Sequence, residues 1–165
     1  MNNNDILRRL RYALDISDVN MSKIFELGGH KIDADGVKSI LKKEIDDGYV
    51  TLRNEELKKF LDGFVIFKRG KLELKPGQNP PVEEEFSSKK NSNNNNIILK
   101  KLRIALEYKS EDMLKVFKLG GVEMSEHELS ALFRKKDHKN YKECGDKYIR
   151  VFLKGLVTLY RGERD

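Results

Sequence analysis

The stretch KKDHKNYKECGDKY, residues 135 to 148, gathers Asp137, His138, Tyr141, Glu143 and Cys144 within eight positions. These are side chains that could do chemistry: a cysteine beside a histidine can be an activated thiolate, and a histidine among carboxylates can hold a metal. Sliding the chain by 92 residues sets Ile45, Asp46, Tyr49, Thr51 and Leu52 opposite them, so only the tyrosine and a displaced carboxylate persist. Leu52 opposite Cys144 points to a cysteine acting as a small buried hydrophobe. Asp137, His138, Tyr141 and Cys144 therefore stand as an alternative ligand site, with no catalytic residue assigned.

Other enzyme signatures are missing from the sequence. Cys144 is the single cysteine, so neither an intramolecular disulfide nor a structural zinc site has enough soft ligands, and a reducing compartment is expected. His30 and His127 do not align between the repeats and read as surface residues. There is no GxxxxGK[ST], HExxH or GxSxG, and the LGG sequences lack the flanking strand of a dinucleotide fingerprint. No cofactor and no metal are expected, and the expectation is a binding or regulatory module rather than an enzyme.

What remains is electrostatic. The net charge is +6, and residues 94 to 165 hold 16 basic against 11 acidic residues where residues 1 to 70 hold 13 against 12. A basic surplus favours nucleic acid or another polyanion as partner, with a protein partner as the alternative. The candidate contacts are Arg8 and Arg11 in the first copy and Lys100, Lys101 and Arg103 in the second, with Arg134, Lys135 and Lys136 closing a later helix. Arg11 and Arg103 are identical where their neighbours exchange Arg for Lys, which predicts a bidentate partner, either a carboxylate inside the fold or a bound anion. MSKIFELGGHKIDADGVKSILKK and MLKVFKLGGVEMSEHELSALFRKK have the size and glycine-bearing turn of a helix-turn-helix, although Asp33 and Asp35 would face phosphates badly.

The elements that must position these residues are written twice. NNNDILRRLRYAL, residues 2 to 14, returns as NNNIILKKLRIAL, residues 94 to 106, and residues 2 to 70 align with 94 to 162 without a gap at about a third identity. Ile6, Leu7, Leu10, Ala13 and Leu14 answer to Ile98, Leu99, Leu102, Ala105 and Leu106, an apolar stripe at helical spacing. Asn4/Asn96, Asp18/Ser110, Asp33/Ser125 and Asn54/Asp146 are short acceptors suited to a helix start, and Ser125 to Glu128 fits a reciprocal capping box. Gly28-Gly29/Gly120-Gly121 and Gly70/Gly162 mark helix ends, and Gly48/Asn140 mark a left-handed turn.

These signals predict an all-α chain of two homologous four-helix modules, with helices near 5–16, 19–27, 34–43 and 55–69, then 97–108, 111–119, 126–136 and 147–161. Gly63/Gly155 inside the last helix predicts a close helix crossing. The modules are residues 1–70 and 94–165. Between them residues 71–93, rich in proline and asparagine, read as a flexible linker that leaves the mutual orientation open. The asparagine tract reads as linker and cap. No apolar run approaches the roughly 20 residues of a spanning helix, and MNNNDILRRL lacks signal-peptide order, so a cytoplasmic protein without membrane contact is expected.

NNNIILKKLRIAL together with KKDHKNYKECGDKYIRVFLKGL resembles the YehS-like family of uncharacterised bacterial proteins, built from a duplicated domain of unknown function. The stretch Asp137 to Asp146, D-H-K-N-[FY]-x-x-C-G-D, is its most specific part. The resemblance covers both repeats and implies a bacterial, cytoplasmic, helical protein. It transfers no activity.

Overall fold

A computed structural model describes residues 1–80 and 85–162. Eight helices follow in order: α1 (Asn3–Leu14), α2 (Asp18–Leu27), α3 (Ala34–Leu41) and α4 (Asn54–Arg69), then α5 (Asn95–Leu106), α6 (Ser110–Leu119), α7 (Glu126–Leu132) and α8 (Asp146–Arg161). The chain is all-α, four helices to a repeat. Among the described residues none of the helices is long and apolar enough to cross a membrane.

The short polar residues do start helices, but not always the ones expected. Asp33 and Ser125 cap α3 and α7, whereas Ser17 and Lys109 hold the cap positions of α2 and α6, one residue before Asp18 and Ser110. Arg53 and Gly145 likewise precede Asn54 and Asp146. The box at Ser125 is half made: its hydroxyl accepts the Glu128 N–H and donates to the Glu128 carboxylate. Reciprocal boxes form instead at Asn2 with Asp5, and the carboxylates of Glu56 and Asp112 accept the Arg53 and Lys109 amides.

Asn4 and Asn96 are not caps at all. Asn2 caps α1, and Asn4 is buried, its amide donating to the carbonyls of Ile40 and Val50 at 2.8 and 2.9 Å while its oxygen accepts from Leu52 N–H and the Tyr49 hydroxyl. Asn96 repeats this on Leu132, Lys142 and Cys144. The extended segment leading into α4 or α8 has no helix to satisfy its backbone, and one asparagine supplies the missing partners. Asn3 and Asn95 add a second tie, each donating to the carbonyl of Leu52 or Cys144 and to the side chain of Asn54 or Asp146.

Stops follow glycine where the sequence has it: Gly29 and Gly121 have φ of +94° and +107°, after caps at Gly28 and Gly120. Gly48 is also left-handed at +82°, but Asn140 is not among the positive-φ residues, so the second loop makes its turn without that conformation. Helices α1 and α5 end on Asp15 and Glu107 in the left-handed region, which their sequences do not advertise. Helix α7 stops at Leu132, four residues short of expectation, which leaves Arg134, Lys135 and Lys136 in the following loop.

Within each repeat the tight pair is α2 on α4, or α6 on α8; α1 and α4 of the same repeat meet only lightly. The long helices also pack across the chain, α1 chiefly on α8, and α4 on α5 about as closely as on α2. The ion pairs Arg69–Glu107 and Arg161–Asp15, at 3.2 and 3.7 Å, are the same contact seen from the two repeats, so a pseudo-twofold axis relates them. Both repeats feed one continuous core that includes Phe25, Phe60 and Phe64 with Phe117, Phe152 and Leu156. The glycine crossing is confirmed: a Cβ on Gly63 would lie 1.9 Å from the Ile24 carbonyl oxygen, and one on Gly155 1.9 Å from that of Val116.

The end of the linker, residues 86 to 93, is more fixed than a coil. Phe86 packs against the core, Asn54 donates to the carbonyls of Ser87 and Lys89, and Asn94 both accepts from and donates to the Ser87 backbone. Asn94, Asn95 and Asn96 of the asparagine tract are thus buried ties, because each carboxamide offers a donor and an acceptor to backbone groups shielded from water.

Candidate functional site

The basic residues singled out in α1 and α5 are mostly spent on the fold. Arg8 pairs with Asp5, and Arg11 donates to Asp18 at 2.9 Å and to the Ile16 carbonyl at 3.1 Å. Arg103 makes the matching bonds to Ser110 and the Tyr108 carbonyl, and its guanidinium lies 4.9 Å from the centre of the Phe133 ring. The unchanged arginine therefore has an internal partner set that pins the α1–α2 or α5–α6 turn. Lys101 binds Asp62 of the other repeat, and Lys100 is half-buried beside it.

The loop between α7 and α8 does not assemble a nucleophile. Cys144 is fully buried, its amide tied to Asn96, and burial first, with Asp146 second, pushes its thiol up to about 12. A thiol held protonated at neutral pH supplies no thiolate. His138 is exposed and its Nδ1 accepts the Asn140 N–H at 3.0 Å; among the described residues no hydrogen bond joins it to Cys144. Asp137 is exposed and Tyr141 half-buried, the latter at the position where Tyr49 supports Asn4. Among the described residues no three His, Cys, Asp or Glu side chains are placed to hold a metal ion. A cleft of about 340 Å³ lies on the pseudo-twofold, between Asn3, Asn54, Asn95 and Asp146. Its amides are already engaged with one another and with backbone carbonyls.

A family model described as "Protein of unknown function (DUF1456)" matches the chain twice, over residues 3–70 and 95–162. The chain belongs to this family. It is also similar to "Uncharacterized protein YehS" of Escherichia coli (strain K12), 38% identical over 158 residues, which is 96% of each chain. No solved structure matches.

In this DUF1456 chain the two copies of the domain have parted in charge. Residues 134 to 154, the loop and the first half of α8, hold eight basic and three acidic residues; their counterparts, 42 to 62, hold five and six. Lys135, Lys136, Lys139, Lys142, Lys147, Arg150 and Lys154 are all exposed. All but Lys135 and Lys136 were missed as candidates, since Lys139, Lys142 and Lys147 are interspersed with polar or acidic residues and Arg150 and Lys154 each sit beside apolar helix positions. The signal was available in the aligned pairs, where Lys154 replaces Asp62 and Lys147 replaces Glu55.

Proposed function

We propose that the protein is a non-enzymatic binding module for nucleic acid, which it holds through backbone phosphates on the surface of residues 134 to 154. The concentration of exposed cations in one copy of a duplicated scaffold carries this reading, because a folded core has no use for that asymmetry and phosphates do. Short α7, with two glutamates in its first turn, argues against a recognition helix in a groove, so contact with phosphates rather than base edges is favoured. The test is fluorescence anisotropy with labelled DNA and RNA at about 50 mM salt and upward. Affinity should fall steeply with salt, with a log–log slope close to the number of phosphates contacted. No binding of either at the lowest salt would remove the reading.

The first repeat favours a second reading, a protein partner. Its equivalent loop exposes Ile45 and Val50, at 90% and 51%, next to Glu44, Asp46 and Asp47. An affinity capture with the intact protein, compared with Ile45→Asp, tests this directly.

A further inference from the structure

In the first repeat Asp62 of α4 sits between two lysines, Lys58 one turn before it and Lys101 of α5 across the repeat boundary. The pseudo-twofold carries these three positions onto Arg150, Lys154 and Arg9. The central carboxylate has become a lysine, and the crossing of α1 and α8 carries three cations where that of α4 and α5 has two cations bridged by a carboxylate. All three are exposed, and within the described residues none of their side chains has a hydrogen bond or ion pair. The nearby carboxylates are engaged elsewhere: Asp5, one turn before Arg9, is held by Arg8, and Asp146, which feels Arg150, is bound by Asn95 and the Met1 amino group.

We propose that Arg9, Arg150 and Lys154 form an anion site for a phosphate group, completed only when the two repeats are docked, and that a phosphate of the nucleic-acid backbone takes the place of the missing carboxylate. This rests on the nucleic-acid reading for the ligand, though not for the site. Three like charges at one helix crossing repel, and an oxyanion with several acceptor oxygens can receive a donor from each. Arginine at two corners suits a phosphate because its planar fork presents paired N–H groups.

Lys154→Asp restores the residue type of the first repeat and supplies an internal partner for Arg9 and Arg150, so it fills the site while keeping the helix. Lys23→Asp, an exposed lysine of α2, makes the same change of charge elsewhere. Thermal unfolding with inorganic pyrophosphate and anisotropy with a fluorescein-labelled oligonucleotide are measured for wild type and both variants. Pyrophosphate should raise the unfolding midpoint of wild type and Lys23→Asp but not of Lys154→Asp, and Lys154→Asp should weaken oligonucleotide binding by at least about tenfold. An equal response of wild type and Lys154→Asp to pyrophosphate overturns the site, whatever the oligonucleotide does. A selective pyrophosphate response with no oligonucleotide binding leaves the site standing and removes nucleic acid as its ligand. If Lys154→Asp does not fold, Lys154→Gln carries the same comparison.

Discussion

The side-chain oxygen of Asn4 accepts the backbone N–H of Leu52 at 2.9 Å. With the Asn4 amide on the carbonyls of Ile40 and Val50, one side chain closes two backbone valences of the segment that enters α4 and one near the end of α3. Asn4→Ala strands the Leu52 N–H and the Ile40 carbonyl away from water and unties the half-buried Val50 carbonyl. It should cost about 3 kcal/mol in urea unfolding, against about 1 kcal/mol for Asn2→Ala, which removes a cap exposed to water. Equal losses at the two positions would show that Asn4 is no more than another cap.

Gly63→Ala would ordinarily gain about 1 kcal/mol of helix propensity. Here the new Cβ meets the Ile24 carbonyl oxygen at 1.9 Å, a backbone atom that cannot swing away. Net destabilisation of about 3 kcal/mol or more is expected, and the same for Gly155→Ala on α8. A stabilised variant in thermal denaturation would mean that α2 and α4 do not cross so closely.

Cys144 should react slowly with a thiol reagent in the native protein and quickly in denaturant. Its thiol, buried and pushed up to about 12, has almost no thiolate at pH 8. Fast native labelling with a midpoint below the roughly 8.5 of a free thiol would restore the loop as a chemical site.

Asp62 is pushed up by burial and drawn down by hydrogen bonds from Lys101 and Lys58, and the balance leaves its carboxyl below the usual carboxylate range. A carboxyl lowered in the folded state stabilises the fold above its unfolded value of about 3.9, and that contribution is lost as pH falls through the folded value. Asp62→Asn should therefore be less stable than wild type at neutral pH, and the two curves should converge below about pH 4. A gap that persists in acid would assign the effect to packing.

Residues 1 to 75 and 90 to 165, expressed separately, should each fail to unfold cooperatively, because α1 and α5 find their main cover on the other repeat and α4 and α8 share theirs across the boundary. Two sharp independent transitions would refute this.

Much of this was legible beforehand. The repeat, the eight helices, the burial of Cys144 and the crossing at Gly63 all follow from local periodicity and from which residue types survive duplication. The asparagines were misread, since an acceptor that caps a first turn and one that reaches a distant loop are the same residue at the same end of a helix. Asn4 could have been separated from Asn2 only by knowing that the loop runs past it. The docking of α1 on α8 was hidden too: apolar stripes state that a face is buried, not by whom. Arg11 illustrates the same limit, because an identical arginine serves an internal carboxylate and an external anion equally well until Asp18 is seen beside it.

Two chains of one repeat each could make the same α1–α8 and α4–α5 contacts as a homodimer, whose stability would rise and fall with protein concentration. Joining them through residues 71 to 93 makes that association unimolecular, with the partner present at an effective concentration in the millimolar range. The tether also removes a constraint on evolution. In a homodimer a lysine in place of Asp62 would appear at both crossings and delete both bridges at once. On a single thread one crossing keeps Asp62 as a clasp between the halves, while the other is free to carry Lys154 and face outward.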